Sequence, residues 1–265
     1  MPSPFDVSRF PNGISTVIPY SLFGQLPIPS PFTIYEYHND FSTYAAGDWT
    51  VTSTNSGTSA LADGEGGLLL LTTGATGTNY QANQLTNLSY YFTTGYRHWF
   101  EISFKLSDVA HTLFTAGWVD TLAGATKNVP GSGVYFTKTD ASTTLSLVLN
   151  NAGTSTTYTV STIAAATFYT VGWFYNAAAS PTMYVYSSAG LTLPNLWESQ
   201  TQSVPGGVRV LAIGANSGSS NTTLLANLPA ATVGHTMGFG LTTGTGAAHT
   251  LTVDHVFAGS GVNRF

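Results

Sequence analysis

Charge is what this chain has least of. Its 265 residues carry seven Lys and Arg and twelve Asp and Glu, so charged side chains make up 7% of the total, against roughly 25% in an ordinary globular protein. Lys, Glu and Arg usually build the exposed faces of helices, so their scarcity argues against a helical fold. The polar surface must instead be made of Thr, Ser, Asn, Gln, Gly and backbone. Such a surface has little like-charge repulsion to keep molecules apart, which suits a protein that works in an assembly. The pI is about 5.5 and no basic cluster occurs, so nucleic acid is not an expected partner. Cysteine is absent, which excludes a disulfide framework and a thiolate metal site and is compatible with synthesis in a reducing cytoplasm. No apolar run reaches the roughly 18 residues of a membrane-spanning helix, so no membrane partner is expected.

What is abundant points to strands. Thr, Val, Tyr and Phe favour pleated, half-buried surfaces. The stretch YRHWFEISFKLSDVAHTLFTAGWVD, residues 96–120, shows the pattern best. Phe100, Ile102, Phe104 and Leu106 alternate with Trp99, Glu101, Ser103 and Lys105, the period of two that marks a half-buried strand. Ser107-Asp108 interrupts it and Leu113 to Val119 resumes it, which predicts an adjacent pair of sandwich strands. Further strands are predicted over 33–37, 49–53, 68–71, 88–92, 133–138, 144–150, 157–160, 168–176, 182–187, 208–214, 237–241 and 250–257. Two of these, 168–176 and 182–187, are apolar on both faces and read as central strands. Residues 191–202 read as a loop with a short helical turn. Even spacing with Gly, Asn and Ser turns, and no fixed-period repeat, predicts a sandwich or barrel over residues 33–265.

Residues 1–32 differ. Seven of the twelve prolines lie here, interleaved with Phe5, Phe10, Ile14, Val17, Ile18, Tyr20, Leu22, Phe23, Leu26 and Ile28. Proline excludes a helix or a central strand, and a freely solvated tail would be more polar. A secretory signal is not expected, because the start is not basic and Pro19 breaks the apolar stretch. The segment reads as an extended arm that lies on its own body or on a neighbouring molecule.

Catalysis needs acid, base or nucleophile side chains brought together. Glu101 stands alone on its strand, as does Asp254 on the last, and Asp63 and Glu65 sit between turn glycines. The paired carboxylates of a glycosidase are therefore not expected. The six histidines (His38, His98, His111, His235, His249 and His255) show no metal-binding spacing, and His249 and His255 read as ordinary polar positions. Asn39-Asp40 and Lys138-Thr139-Asp140 read as turns rather than calcium loops. No nucleophile elbow or phosphate loop occurs. The expectation is no enzyme, no catalytic residue, no metal and no cofactor. Tyr90, Tyr91, Trp118, Trp173, Tyr184 and Tyr186 offer either a platform for a sugar ring or core and interface packing, the second being the commoner use of aromatics.

Several segments together carry a resemblance. F-x-I-x-F-K-L-S-D (Phe100–Asp108), T-A-G-W-V-D (Thr115–Asp120) and G-V-Y-F-x-K-x-D (Gly133–Asp140) are followed by T-L-x-L-V-L-N (Thr144–Asn150) and Y-T-V-G-W-F-Y (Tyr169–Tyr175). This order resembles the concanavalin A-like (laminin-G-like) jelly roll of tailed-phage structural proteins. R-F-P-N-G-I-S (Arg9–Ser15) is similar to the start of several phage virion proteins encoded near the capsid gene. The lectin carbohydrate and calcium positions do not map onto this chain. The resemblance implies an all-β sandwich with an extended N-terminal arm, acting as a capsid decoration (cement) or head-fibre protein. The expected partner is the major capsid protein, on the capsid surface of a virion assembled in the host cytoplasm. Phe5, Phe10, Pro11, Asn12, Ile18 and Tyr20 are the expected contacts of the arm with the shell or a neighbouring copy. A homo-oligomer is expected, with a trimer as first guess. The alternative from another class is a carbohydrate-binding adhesin, a head- or tail-fibre module.

Overall fold

A computed structural model describes residues 34–64, 66–75, 79–86, 90–93, 95–122, 129–177, 182–188, 209–213, 227–243 and 246–262. The arm positions Phe5, Phe10, Pro11, Asn12, Ile18 and Tyr20, and the segment 191–202, lie outside these residues.

Two antiparallel sheets contain all fifteen described strands. The first runs β13 (Arg209–Ile213), β12 (Thr182–Ser187), β11 (Phe168–Asn176), β6 (Tyr96–Leu106), β15 (Thr250–Val262), β4 (Leu68–Thr72) and β3 (Thr58–Ala62). The free edge of β15 is shared end to end. Residues 250–253 pair with β4, and residues 256–261 pair with β1 (Ile34–Asn39). The second sheet runs β10 (Thr154–Thr162), β9 (Thr144–Asn151), β8 (Gly133–Lys138), β7 (Thr112–Val119), β14 (Thr236–Thr243), β5 (Asn79–Leu85) and β2 (Trp49–Ser53).

The core fills the gap between the sheets. Phe100, Ile102, Phe104 and Leu106 of β6 are buried with Val171 and Trp173 of β11 and with Leu251, Val253, Val256 and Ala258 of β15. Facing them are Phe114, Ala116 and Trp118 of β7, Val134 and Phe136 of β8, and Phe239 and Leu241 of β14. The expected central strands hold, since β11 lies between β6 and β12 and β12 lies between β11 and β13.

The expectation that β6 and β7 are adjacent is overturned, because they belong to opposite sheets. Both strands bury an apolar row in the same gap, so they face each other rather than pair. The Phe104 and Phe114 rings stack at 4.2 Å between centroids, and residues 107–111 carry the chain across. Of the strand expected over 88–92, residues 88 and 89 lie outside the described residues, and 90–92 show only an isolated bridge, Tyr90 with His235. Two strands escaped the sequence reading. Small residues make up most of β3, and β5 buries the polar side chains of Asn79, Gln81 and Asn83.

Most of the polar atoms of those side chains find partners outside β5, as buried polar groups usually do, although Gln81 Oε1 is buried without one. Gln81 Nε2 donates to Ser59 Oγ at 2.7 Å, and Ser59 Oγ donates to Asn83 Oδ1 at 2.6 Å. Asn83 Nδ2 then donates to Tyr44 Oη at 2.9 Å. This ladder ties β3 of one sheet to β5 of the other.

Candidate functional site

The outer face of the first sheet collects the chemistry that the sequence scattered. Strand register sets its rows. One row runs Tyr186, Gly172, Glu101, Phe257 and His38 across β12, β11, β6, β15 and β1. The next runs Tyr184, Phe174, Trp99, Gly259 and Glu36. Phe174 stacks on Trp99 at 5.2 Å and on Tyr184 at 5.8 Å. A Cβ on Gly172 would meet the Tyr186 ring at 2.3 Å, so glycine lets that ring lie flat on the strand.

A bulge in β15 creates the ionic centre of this face. Val253 pairs with Phe104 and His255 pairs with Ser103, which leaves Asp254 as the extra residue. Leu251 and Val253 point inward before it, and Val256 and Ala258 after it. Two consecutive residues, Asp254 and His255, therefore share the outer face, the kind of re-aiming that bulges provide. His255 Nε2 lies 2.9 Å from Glu101 Oε1, and His255 Nδ1 lies 3.0 Å from Asp254 Oδ2. Burial disfavours the imidazolium, but the Glu101 and Asp254 carboxylates outweigh that and raise the His255 pKa. His38 is held below its ordinary value by burial and by the neighbouring His255.

The expectation that Glu101 and Asp254 stand alone is thus corrected, and His255 is more than an ordinary polar position. A signal for this is present in the sequence, because the apolar alternation slips by one residue between Val253 and Val256. Both imidazole nitrogens face carboxylates, and Glu101 is engaged by His255.

The aromatics considered for a sugar platform fall mostly inside. Tyr90, Trp118, Trp173 and Tyr186 are buried, Tyr184 is half-buried and Tyr91 is exposed. Tyr90 and Trp118 stack at 4.2 Å in an interior cluster around Phe92. That cluster holds two buried histidines, one from each sheet's side. His98 Nδ1 lies 3.0 Å from Ser260 Oγ, and His235 Nε2 lies 3.1 Å from Ser132 Oγ. Burial, with a smaller contribution from His235, lowers the His98 pKa to about 3, and burial also lowers that of His235.

At the turn joining β6 to β7, Asp108 Oδ2 lies 3.0 Å from His111 Nδ1 and 3.9 Å from His249 Nδ1. The hydrogen bond to His111 holds the Asp108 carboxyl below its usual range. Nearby, the buried Lys138 ammonium donates to the Val109 carbonyl, and burial lowers its pKa to about 8. The two segments considered for calcium are turns. Asn39 Oδ1 accepts from the Phe41 amide, and Asp40 Oδ1 accepts from the Ser42 amide. Asp140 is exposed and accepts from the Ala141 amide. Among the described residues, no group of three or more His, Asp or Glu side chains is placed to hold a metal ion. No described helix is long and apolar enough to cross a membrane.

No protein-family model matches the chain, and no curated protein matches it. Solved structures do. A peanut lectin superposes with a TM-score of 0.54 at 13% identity, covering 86% of this chain and 98% of that one. The Emp47p carbohydrate recognition domain gives 0.54 at 10% identity, covering 88% and 99%. The endo-1,3-beta-glucanase of Streptomyces sioyaensis gives 0.51 at 13% identity, covering 89% and 99%. Lectins and an enzyme thus share one architecture, and identities this low speak for fold and not for activity. The sheet order and these superpositions together establish that the chain has the concanavalin A-like jelly-roll sandwich fold.

Proposed function

We propose that this chain is a non-enzymatic structural protein of a phage virion, a capsid decoration protein that docks on the shell and stabilises it. The supporting observation is one of composition joined to fold. A sandwich with 7% charged residues is preceded by 32 residues that hold seven prolines, many apolar side chains and only two charges, Asp6 and Arg9. Such a segment reaches far per residue, and proline lowers the entropy lost when it is ordered. Many copies side by side on a lattice then gain by avidity. The major capsid protein is the partner, the capsid surface is the location, and the copies form a homo-oligomer, a trimer by first guess. Phe5, Phe10, Pro11, Asn12, Ile18 and Tyr20 make the contact. Co-sedimentation with particles tests the reading. The full chain is expected to pellet with capsids and a chain lacking residues 1–32 to stay in the supernatant. Equal pelleting of both would remove the arm from the mechanism.

A second reading, a carbohydrate-binding adhesin, is favoured by one observation. The Glu101–His255–Asp254 centre sits on a sheet face beside the Trp99, Phe174 and Tyr184 rings. Aromatic faces beside a few fixed polar groups are what a sugar site needs. The burial of Trp99 and Phe174, 5% and 2% exposed, counts against it. A glycan array separates the two readings, since a decoration protein is expected to show no sugar preference.

A further inference from the structure

In the interior cluster around Phe92 and Trp118, five buried polar atoms meet no hydrogen-bonding partner in the protein: Tyr90 Oη, His98 Nε2, Trp118 Nε1, Trp173 Nε1 and His235 Nδ1. Their rings are neighbours. The Trp118 centroid stands 4.2 Å from that of Tyr90, 5.0 Å from His98 and 5.4 Å from Trp173. Phe92 stands 4.9 Å from His98 and 5.6 Å from His235. None of the five residues is more than 3% exposed. An unpaired buried polar atom is costly and native cores hold only a few, each calling for a cause such as a bound water or ion. Several gathered in one cluster point to a shared cause.

The hydrogen inventory says what a guest must do there. An indole N–H only donates, so Trp118 and Trp173 each need an acceptor. His235 needs the reverse. The Ser132 hydroxyl has one hydrogen, which it donates to the Asn150 carbonyl at 3.3 Å. In the 3.1 Å contact between Ser132 Oγ and His235 Nε2 the imidazole is therefore the donor. Burial favours the neutral ring, so Nδ1 is a bare lone pair that needs a donor. Tyr90 Oη can take either role. His98 Nε2 takes the role opposite to the one Nδ1 plays toward Ser260 Oγ at 3.0 Å.

We propose that this cluster is an internal hydration site, in which ordered water accepts from the Trp118 and Trp173 indoles and donates to His235 Nδ1. Water both accepts and donates, and an internal water makes about three such bonds. A simple anion would leave His235 Nδ1 unmet and would be repelled by the Asp120 carboxylate, whose field reaches His235. A cation would find indole N–H groups, which offer it no lone pair. The placement gives the water a task. His98 on β6 and Trp173 on β11 belong to the first sheet, while Trp118 is on β7 of the second and His235 immediately precedes β14. Hydrogen bonds through the water thus tie the two sheets together within a cluster of packed rings.

A high-resolution crystal structure of the full chain and nitrogen NMR of its histidines test this together. The expected result is a density peak within hydrogen-bonding distance of His235 Nδ1 and of both indole nitrogens, directly or through a second water. The His235 ring is expected to be protonated on Nε2, with Nδ1 bare. No peak at that position would overturn the proposal, and so would a His235 ring protonated on Nδ1. Xenon entering this place in pressurised crystals would also overturn it, because dry apolar cavities take up xenon whereas polar ones hold water. These measurements use the natural chain, so the result does not depend on a variant that folds. His235→Phe adds a further check where it folds, since removing the acceptor is expected to abolish the peak. A peak unchanged in that variant would overturn the assignment of His235 Nδ1 as its partner.

Discussion

Glu101 Oε1 and His255 Nε2 meet at 2.9 Å although 154 residues separate them in the chain. The contact exists because β6 and β15 are hydrogen-bonded neighbours and because the bulge at Asp254 turns the imidazole toward β6. Glu101→Gln keeps the shape and removes the charge. A loss near the lower end of about 1.5–3 kcal/mol, the usual range for a hydrogen bond to a charged group, is expected at acid-to-neutral pH, because both side chains are partly exposed. The His255 pKa is raised in the folded state, so the stabilisation is complete below the ordinary 6.5 and fades as pH rises through the folded value. NMR titration checks this, the His255 midpoint being expected to fall in the variant. An unchanged midpoint would mean that Glu101 does not hold the proton.

His98 and His235 are expected to produce the opposite pH dependence. Both have pKa values lowered by burial, so the unfolded chain takes up protons that the folded chain refuses. Their contribution is present above the ordinary value of 6.5 and is lost as pH falls toward about 3 for His98. The slope approaches about 1.4 kcal/mol per pH unit for each such group. The groups facing the pair are Tyr90, Tyr96, Tyr175, Ser132, Ser260 and, from the next loop, Asp120. Urea unfolding at about pH 7 and about pH 4 is expected to show a smaller acid loss in His98→Leu than in the natural chain.

The Phe104–Phe114 stack fixes the two sheets against each other in mid-core. Both rings are completely buried. Phe104→Ala is expected to cost about 3–5 kcal/mol through lost burial and the cavity left behind. A double-mutant cycle with Phe114→Ala is expected to return a coupling of about 0.5–1.5 kcal/mol for the aromatic pair. Additive losses would show that the stack contributes area alone.

Gly117 allows β7 and β8 to approach. A Cβ there would stand 2.4 Å from the Val134 carbonyl oxygen and 2.5 Å from the Tyr135 Cα, both backbone atoms that cannot step aside. Gly117→Ala is expected to destabilise by at least about 1–3 kcal/mol, as overpacking does. Gly47 has nothing within 4 Å of its would-be Cβ, so Gly47→Ala is the matched control, expected to stay within about 0.5 kcal/mol. Thermal melts of the two variants decide the point.

The strand content was legible because a period of two survives wherever one face is buried. Leu145, Leu147 and Leu149 announced β9 by their alternation alone, and the apolar residues on both faces of 168–176 marked β11 as a central strand. The same rule hid β5, whose inward positions are Asn79, Gln81 and Asn83. Their partners, Ser59 and Tyr44, become visible only once the sheets face each other. Pattern also failed to say that β6 and β7 lie in different sheets, because an apolar row shows that it is covered and not by what.

The low charge, the missing cysteines, the proline-rich composition of residues 1–32 and the all-β class were therefore determined by the sequence itself, since composition and period act locally. The phase slip around Asp254-His255 was also written there. What only the tertiary structure decided was which lone groups would meet. Glu101 reached His255, and His98 and His235 entered one cluster. Such meetings depend on strand order and register across long separations, and a non-local pairing leaves no mark in the residues between.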